Sequence, residues 1–152
     1  MDRMRVVSIG DLVTDLVTEI PHLPAAAGQH QVASKVQLEP GGAGNFLIAG
    51  ARLGMAMTAL GTVGDDWSGQ ALLAALQSEG VDTHSVSAQG STTTVVSLVA
   101  ADGGGHVFLG AYGQGAEVPL LPAWSAAVAS AQAVIGWGYT LHETRVREAM
   151  LA

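Results

Sequence analysis

From residue 40 the chain reads PGGAGNFLIAGARLGMAMTALGTVG: a proline, a glycine-rich turn, a helical stretch and an apolar run in immediate succession. Few architectures accommodate that order. Pro40 ends the segment before it, Gly41-Gly42 and Ala43-Gly44 turn the chain, and Ala43 to Leu53 has the pattern of a helix stopped by Gly54. Met55 to Val63 then reads as a buried strand. Glycines allow backbone amides to approach a ligand closely, and a helix starting behind them presents unpaired N–H groups to the same spot. Asn45 adds an amide donor pair and an acceptor. Such a turn suits a small, oxygen-rich polar molecule. A glycine loop serving only as a turn is the alternative.

The flanking segments extend the pattern. Arg5 to Ile9 is a β-branched run ending at Gly10, Thr14 to Ile20 alternates in part, and His30 to Leu38 alternates well, with Val32, Val36 and Leu38 on one face. Ser68 to Ser78 reads as a second helix with Ala71, Leu72, Ala75 and Leu76 inward and Gly80 as its stop. This β–α–β–α alternation predicts an α/β fold with a parallel core sheet and crossover helices. Thr92 to Ala100, a turn at Asp102–Gly105 and His106 to Leu109 read instead as an antiparallel hairpin. The core pattern resumes with a helix over about Ala123–Ser130, a strand Ala133–Trp137 and a helix opening near His142. The last residues, HETRVREAMLA, stop in mid-pattern with no following strand, so the chain is expected to be the first portion of something longer.

Composition removes several functions. At 152 residues and 49% hydrophobic residues the chain suits one domain with a core. The net charge is −7 and Lys35 is the only lysine, so nothing supplies the basic stripe that nucleic acid requires. The absence of cysteine excludes disulfides and thiolate metal sites and agrees with a cytoplasmic protein. The start lacks a signal peptide's apolar run. Val118 to His142 carries no charge, but its prolines and small residues argue against a membrane span.

Asp15 is the first candidate for chemistry. It lies just past the first strand, and in open α/β sheets ligands sit beyond the carboxyl ends of the strands. A carboxylate there can accept charge-assisted hydrogen bonds from two neighbouring hydroxyls. Asp15, Asn45 and the amides of Gly41 and Gly42 would make a polyol cradle; a solvated strand residue is the plain alternative. Asp11 competes for the role or stabilises the turn after Gly10. Asp65, Asp66 or Ser68 can cap the second helix. Tyr139, beside Gly138 at a strand end, is a further lining candidate, with core packing as its alternative; Tyr112 has no assigned role. No Walker A motif, dinucleotide fingerprint or nucleophile elbow is present, which disfavours a dinucleotide-dependent oxidoreductase. The five histidines lack metal-ligand spacing, and no metal site is expected.

VVSIGDLVTD, PGGAGNFLIAGARLG, TALGTVGDDWSGQALLAALQSEGVDT and the hairpin after Thr94 resemble, in order, the first half of the ribokinase-like (PfkB-type) carbohydrate kinases, from about Val6 onward. The resemblance implies a three-layer α/β/α parallel core sheet, here truncated, within one ribokinase-like domain over residues 1–152. A small antiparallel β lid would come from segments about 14–20, 30–38 and 92–109. It implies sugar-hydroxyl binding by Asp15, Gly41, Gly42 and Asn45, a lid that excludes water and is often also a homodimer contact, and ATP with Mg2+ as co-substrate. Leu47 departs from the family, which usually has a small residue there; it narrows either the helix contact or the pocket. The family's general base, oxyanion-stabilising glycine turn and ATP pocket belong to its later half, and no GAGD-like segment occurs here. No catalytic or cofactor-binding residue is therefore expected in this chain. The implied parent is an ATP-dependent sugar or nucleoside kinase, with these residues alone nearly inactive. A non-catalytic sugar-binding or sensor module, or a subunit of a split kinase, is the alternative.

Overall fold

A computed structural model describes residues 3–10, 12–113, 122–141, 147–148 and 151. In chain order these form β1 (Arg5–Ile9), β2 (Val13–Ile20), β3 (Lys35–Pro40), α1 (Ala43–Arg52), β4 (Ala56–Val63) and α2 (Trp67–Ser78). There follow β5 (Val86–Ala88), β6 (Thr93–Ala100), β7 (His106–Ala111), α3 (Pro122–Ser130), β8 (Ala133–Gly136) and a 3-10 turn, Gly138–Leu141.

The strands make two sheets. The first has the order β5-β4-β1-β8, and each of its pairings is parallel. Successive residues of β1 look to opposite faces, as strand geometry requires. Val6 enters a core with Ala43 and Leu47 of α1, Met57, Ala59 and Val63 of β4, and Leu72 and Leu76 of α2. Val7 enters another with Leu60 and Trp124 of α3. The Trp124 indole N–H, buried with its ring, donates to the Ser85 carbonyl at 3.0 Å. Helices on both faces of a parallel sheet give the three expected layers.

Leu47 is fully buried in the first of these cores, between α1 and the sheet. Leu47 therefore fills the helix contact. Leu47→Ala is expected to cost about 2–5 kcal/mol through the cavity it leaves, read as a lowered urea midpoint.

The second sheet has the order β3-β2-β6-β7. Its outer pairings, β2 with β3 and β6 with β7, are antiparallel. The central pairing, from Val13↔Thr93 to Ile20↔Ala100, is parallel, so the flap is mixed rather than wholly antiparallel. A parallel pair needs a long crossover. The β3–α1–β4–α2–β5 stretch provides it, returning the chain as β6 on the side of β2 opposite β3 and in the direction of β2.

Two local expectations need correction. The alternation from His30 forms a strand only from Lys35, and Val32 and Val36 are both exposed, so the expected apolar face is not a buried one. Ala71 is exposed; the buried face of α2 runs through Ser68, Gly69, Leu72 and Leu76. The edge strand β5, only three residues with one strong apolar side chain, gave no periodic signal. The helix expected near His142 falls largely outside the described residues.

Candidate functional site

The two sheets meet where β1 ends. Gly10 takes a positive φ of 81° and its N–H donates to the Leu60 carbonyl at 2.7 Å, so the chain turns out of the core and enters β2 within a few residues. Asp11 lies outside the described residues. Asp15, the third residue of β2, is half-buried. It is in register with Val95 on one side and with Glu39 on the other.

Alternate residues of a strand share a face, and the register of β2, β6 and β7 makes that face one wall of a cavity of about 540 Å³. Val13 and Asp15 contribute from β2, and Thr93, Val95 and Ser97 from β6. Phe108, Gly110 and Ala111 of β7 continue it, with Tyr112 at the strand end. Gly42 from the glycine turn and Tyr139, just past the carboxyl end of β8, complete the lining.

The glycine turn is built against the carboxylate. The buried Gly41 donates its N–H to the Val13 carbonyl at 3.0 Å and accepts from the Gly44 N–H at 2.8 Å. A Cβ at position 41 would sit 2.6 Å from Asp15 Cγ and 2.8 Å from its Oδ2, so only glycine leaves the Asp15 carboxylate where it is. Gly42, with φ 47° and ψ −125°, is the N-cap of α1 and makes no side-chain cap bond. The first-turn amides of α1 thus lack a side-chain acceptor. Asn45 stands exposed in that first turn and is not part of the cavity lining.

The Asp15 carboxylate makes no hydrogen bond among the described residues. Burial first, and then the charge of Glu39 across the β2–β3 pair, push its carboxyl above the ordinary value. A partly desolvated acceptor without partners favours ligands that bring donors, and vicinal hydroxyls are such donors. Around it the wall is largely apolar and aromatic, through Val13, Val95, Phe108, Tyr112 and Tyr139. Thr93, Ser97, Phe108 and Tyr112 were not singled out from the sequence. Their two-residue spacing was visible, but which face met Asp15 depended on the β2–β6 register.

Asp66 is the N-cap of α2. Its Oδ1 accepts from the Gly69 N–H at 2.9 Å, the Ser68 hydroxyl at 2.9 Å and the Thr92 hydroxyl at 2.7 Å, while Oδ2 accepts from the Thr92 N–H at 2.9 Å. Burial opposes its ionisation, but the bonds from Thr92, Gly69 and Ser68 outweigh it and hold the carboxyl well below the ordinary range.

A model of the pfkB family carbohydrate kinases matches residues 3–152. This chain belongs to that family. Among its relatives, the ATP-dependent ribose-1-phosphate kinase of Halopiger xanaduensis is 33% identical over 104 residues, 68% of this chain and 35% of that protein. A solved sugar kinase from Pyrococcus horikoshii, in complex with ATP, is 26% identical with a TM-score of 0.76, over 96% of this chain and 47% of that one. The ribokinase of Arabidopsis thaliana, complexed with ribose and ATP, shares the fold at 23% identity and a TM-score of 0.78, over 97% of this chain and 50% of that one. This pfkB-family chain therefore spans between 35% and 50% of the length of these relatives.

Proposed function

We propose that this chain carries the carbohydrate-binding half of an ATP-dependent sugar or nucleoside kinase. The observation that carries the reading is Asp15: a half-buried carboxylate without a hydrogen-bond partner among the described residues, facing a cavity closed by the glycine turn. In this reading Asp15 accepts from two ring hydroxyls, and backbone amides at Gly41 and Gly42 hold a sugar oxygen. Asn45, within one helical turn of Gly42, reaches the sugar from the first turn of α1, and Tyr139 covers it from the β8 side. With the complementary half of the site present, another hydroxyl of the sugar so held would receive the γ-phosphoryl group of ATP, ADP leaving and the hydroxyl proton passing to the general base expected in that half.

ATP and Mg2+ enter through the family alone. Among the described residues no lysine or arginine lines the cavity, and no group of three His, Asp or Glu converges to hold a cation. Phosphoryl transfer rests on positioning and charge stabilisation around the γ-phosphate, and these residues do not fit that task. The chain by itself is accordingly expected to show no phosphoryl transfer. Two exposed edges bear on assembly. β7 exposes Val107, Phe108 and Leu109, which suits a homodimer contact through the second sheet; β8, with Val134 exposed, suits the addition of a further strand.

Titration calorimetry with ribose, fructose, glucose and adenosine tests the proposal. Saturable binding of at least one of them is expected, and silence across the panel rejects the binding role.

A further inference from the structure

We propose that Asp66 and Thr92 anchor the second sheet to the core, making Asp66 a positioning residue for the cavity as well as the cap of α2. The inference concerns how the cavity is held, whichever ligand it takes. Capping alone does not explain an aspartate here. One acceptor atom satisfies a helix N-terminus, and a serine or threonine supplies it. Oδ1 already does so through Gly69 and Ser68, yet Oδ2 reaches the backbone N–H of Thr92, 26 residues away in sequence. Serine, threonine and asparagine each lack a second acceptor atom for that bond.

Thr92 is where the chain leaves the core for β6. Its hydroxyl donates to Asp66 and accepts from the Gly64 N–H at 2.9 Å, so both of its hydrogen-bonding functions are used on the core side. From there the connection to the cavity is short. Thr93 pairs with Val13, and the hydroxyls of Thr94 and Thr14 lie 3.1 Å apart. The Gly113 N–H donates to the Thr93 hydroxyl at 3.0 Å, tying the end of β7 to the same point. Asp15 follows Val13 by two residues on the same face.

Packing tightens the joint. A Cβ on Gly64 would lie 2.5 Å from the Ser91 carbonyl carbon, one on Gly69 would lie 2.7 Å from the Thr92 hydroxyl, and one on Gly113 would lie 2.7 Å from Thr93 N. Gly64 and Gly113 thus admit the Ser91–Thr93 backbone between the start of α2 and the end of β7, and Gly69 admits the Thr92 hydroxyl. Close-packed contacts of this kind transmit a displacement instead of absorbing it.

Amide hydrogen exchange on the whole 152-residue chain tests this without any ligand, so its outcome is independent of whether a sugar binds. In Asp66→Asn the single side-chain oxygen serves either the α2 amides or the Thr92 N–H. Exchange in residues 13–20 and 93–100 is expected to rise about tenfold, with β1 and β4 unchanged. Ser68→Ala, which loses only a cap-side bond, should leave the second sheet at the wild-type rate. Thr92→Val should repeat the Asp66→Asn pattern and Thr92→Ser should restore protection; this pair carries the test if Asp66→Asn does not fold. A change confined to the first turn of α2, or an equal rise in both sheets, would overturn the proposal.

Discussion

Asp15→Asn is expected to weaken carbohydrate binding roughly 10- to 100-fold while making the folded chain more stable at neutral pH. The affinity loss follows from replacing two charge-assisted hydrogen bonds by neutral ones, of which one side-chain atom is now a donor facing donors. The stability gain follows from the sign of the shift. Burial and Glu39 raise the Asp15 carboxyl in the folded state, so the fold binds its proton more tightly than the unfolded chain does. Stability at this site is greatest below the unfolded value of 3.8 and falls as pH rises through the raised value. At neutral pH the ionised group therefore strains the fold, and asparagine removes that strain. Below the carboxylate range the two proteins should unfold at the same urea concentration. Calorimetry and urea midpoints at both pH extremes check the pair of claims. A variant that binds as well as wild type, or that is less stable at neutral pH, sinks the assignment of Asp15 as a ligand group held at the fold's expense.

Gly64→Ala is expected to destabilise the chain by about 3 kcal/mol, at the upper end of ordinary overpacking. Position 64 has no positive φ, so the alanine backbone is itself allowed, and the cost comes from contact. The added methyl would meet the Ser91 carbonyl carbon at 2.5 Å and the Gly90 carbonyl oxygen at 2.8 Å. These are backbone atoms, fixed by the Gly64–Thr92 and Thr92–Asp66 hydrogen bonds, and cannot rotate aside. At Gly41 the atoms nearest the corresponding methyl are those of the Asp15 side chain. Gly41→Ala should therefore displace that carboxylate with a much smaller effect on unfolding. Denaturant titrations of the two variants give the comparison. An unchanged midpoint for Gly64→Ala would mean that the Gly90–Thr92 segment retreats freely, against the rigid joint described above.

Elements whose signals are local were legible in the chain. α1 ends one residue short of the expected Leu53, and α2 starts one residue before Ser68, at the Asp66 cap. β1, β4 and the β6–β7 hairpin likewise lie close to their apolar runs and turn residues. Each depends on neighbours within a few positions: caps, stops and alternation. What was not legible depends on pairings between distant segments. The parallel β2–β6 register joins residues 80 apart, and it alone decides that Thr93, Val95 and Ser97 line the same cavity as Asp15. The exposure of Asn45 is of the same kind, since the helical pattern places it in a first turn without saying what that turn faces. Asp66 was visible as a cap, but its second oxygen is committed to a residue no local pattern could name.

Residue order, then, was enough to specify the parallel core, the glycine turn and an aspartate placed just beyond the first strand, because hydrophobic period, glycine and capping chemistry act over one or two turns of chain. The cavity itself was decided only by tertiary structure. Its wall is a face of a mixed sheet, and which residues share that face is set by strand register and by the Asp66–Thr92 joint, both of which are contacts between segments that sequence leaves far apart.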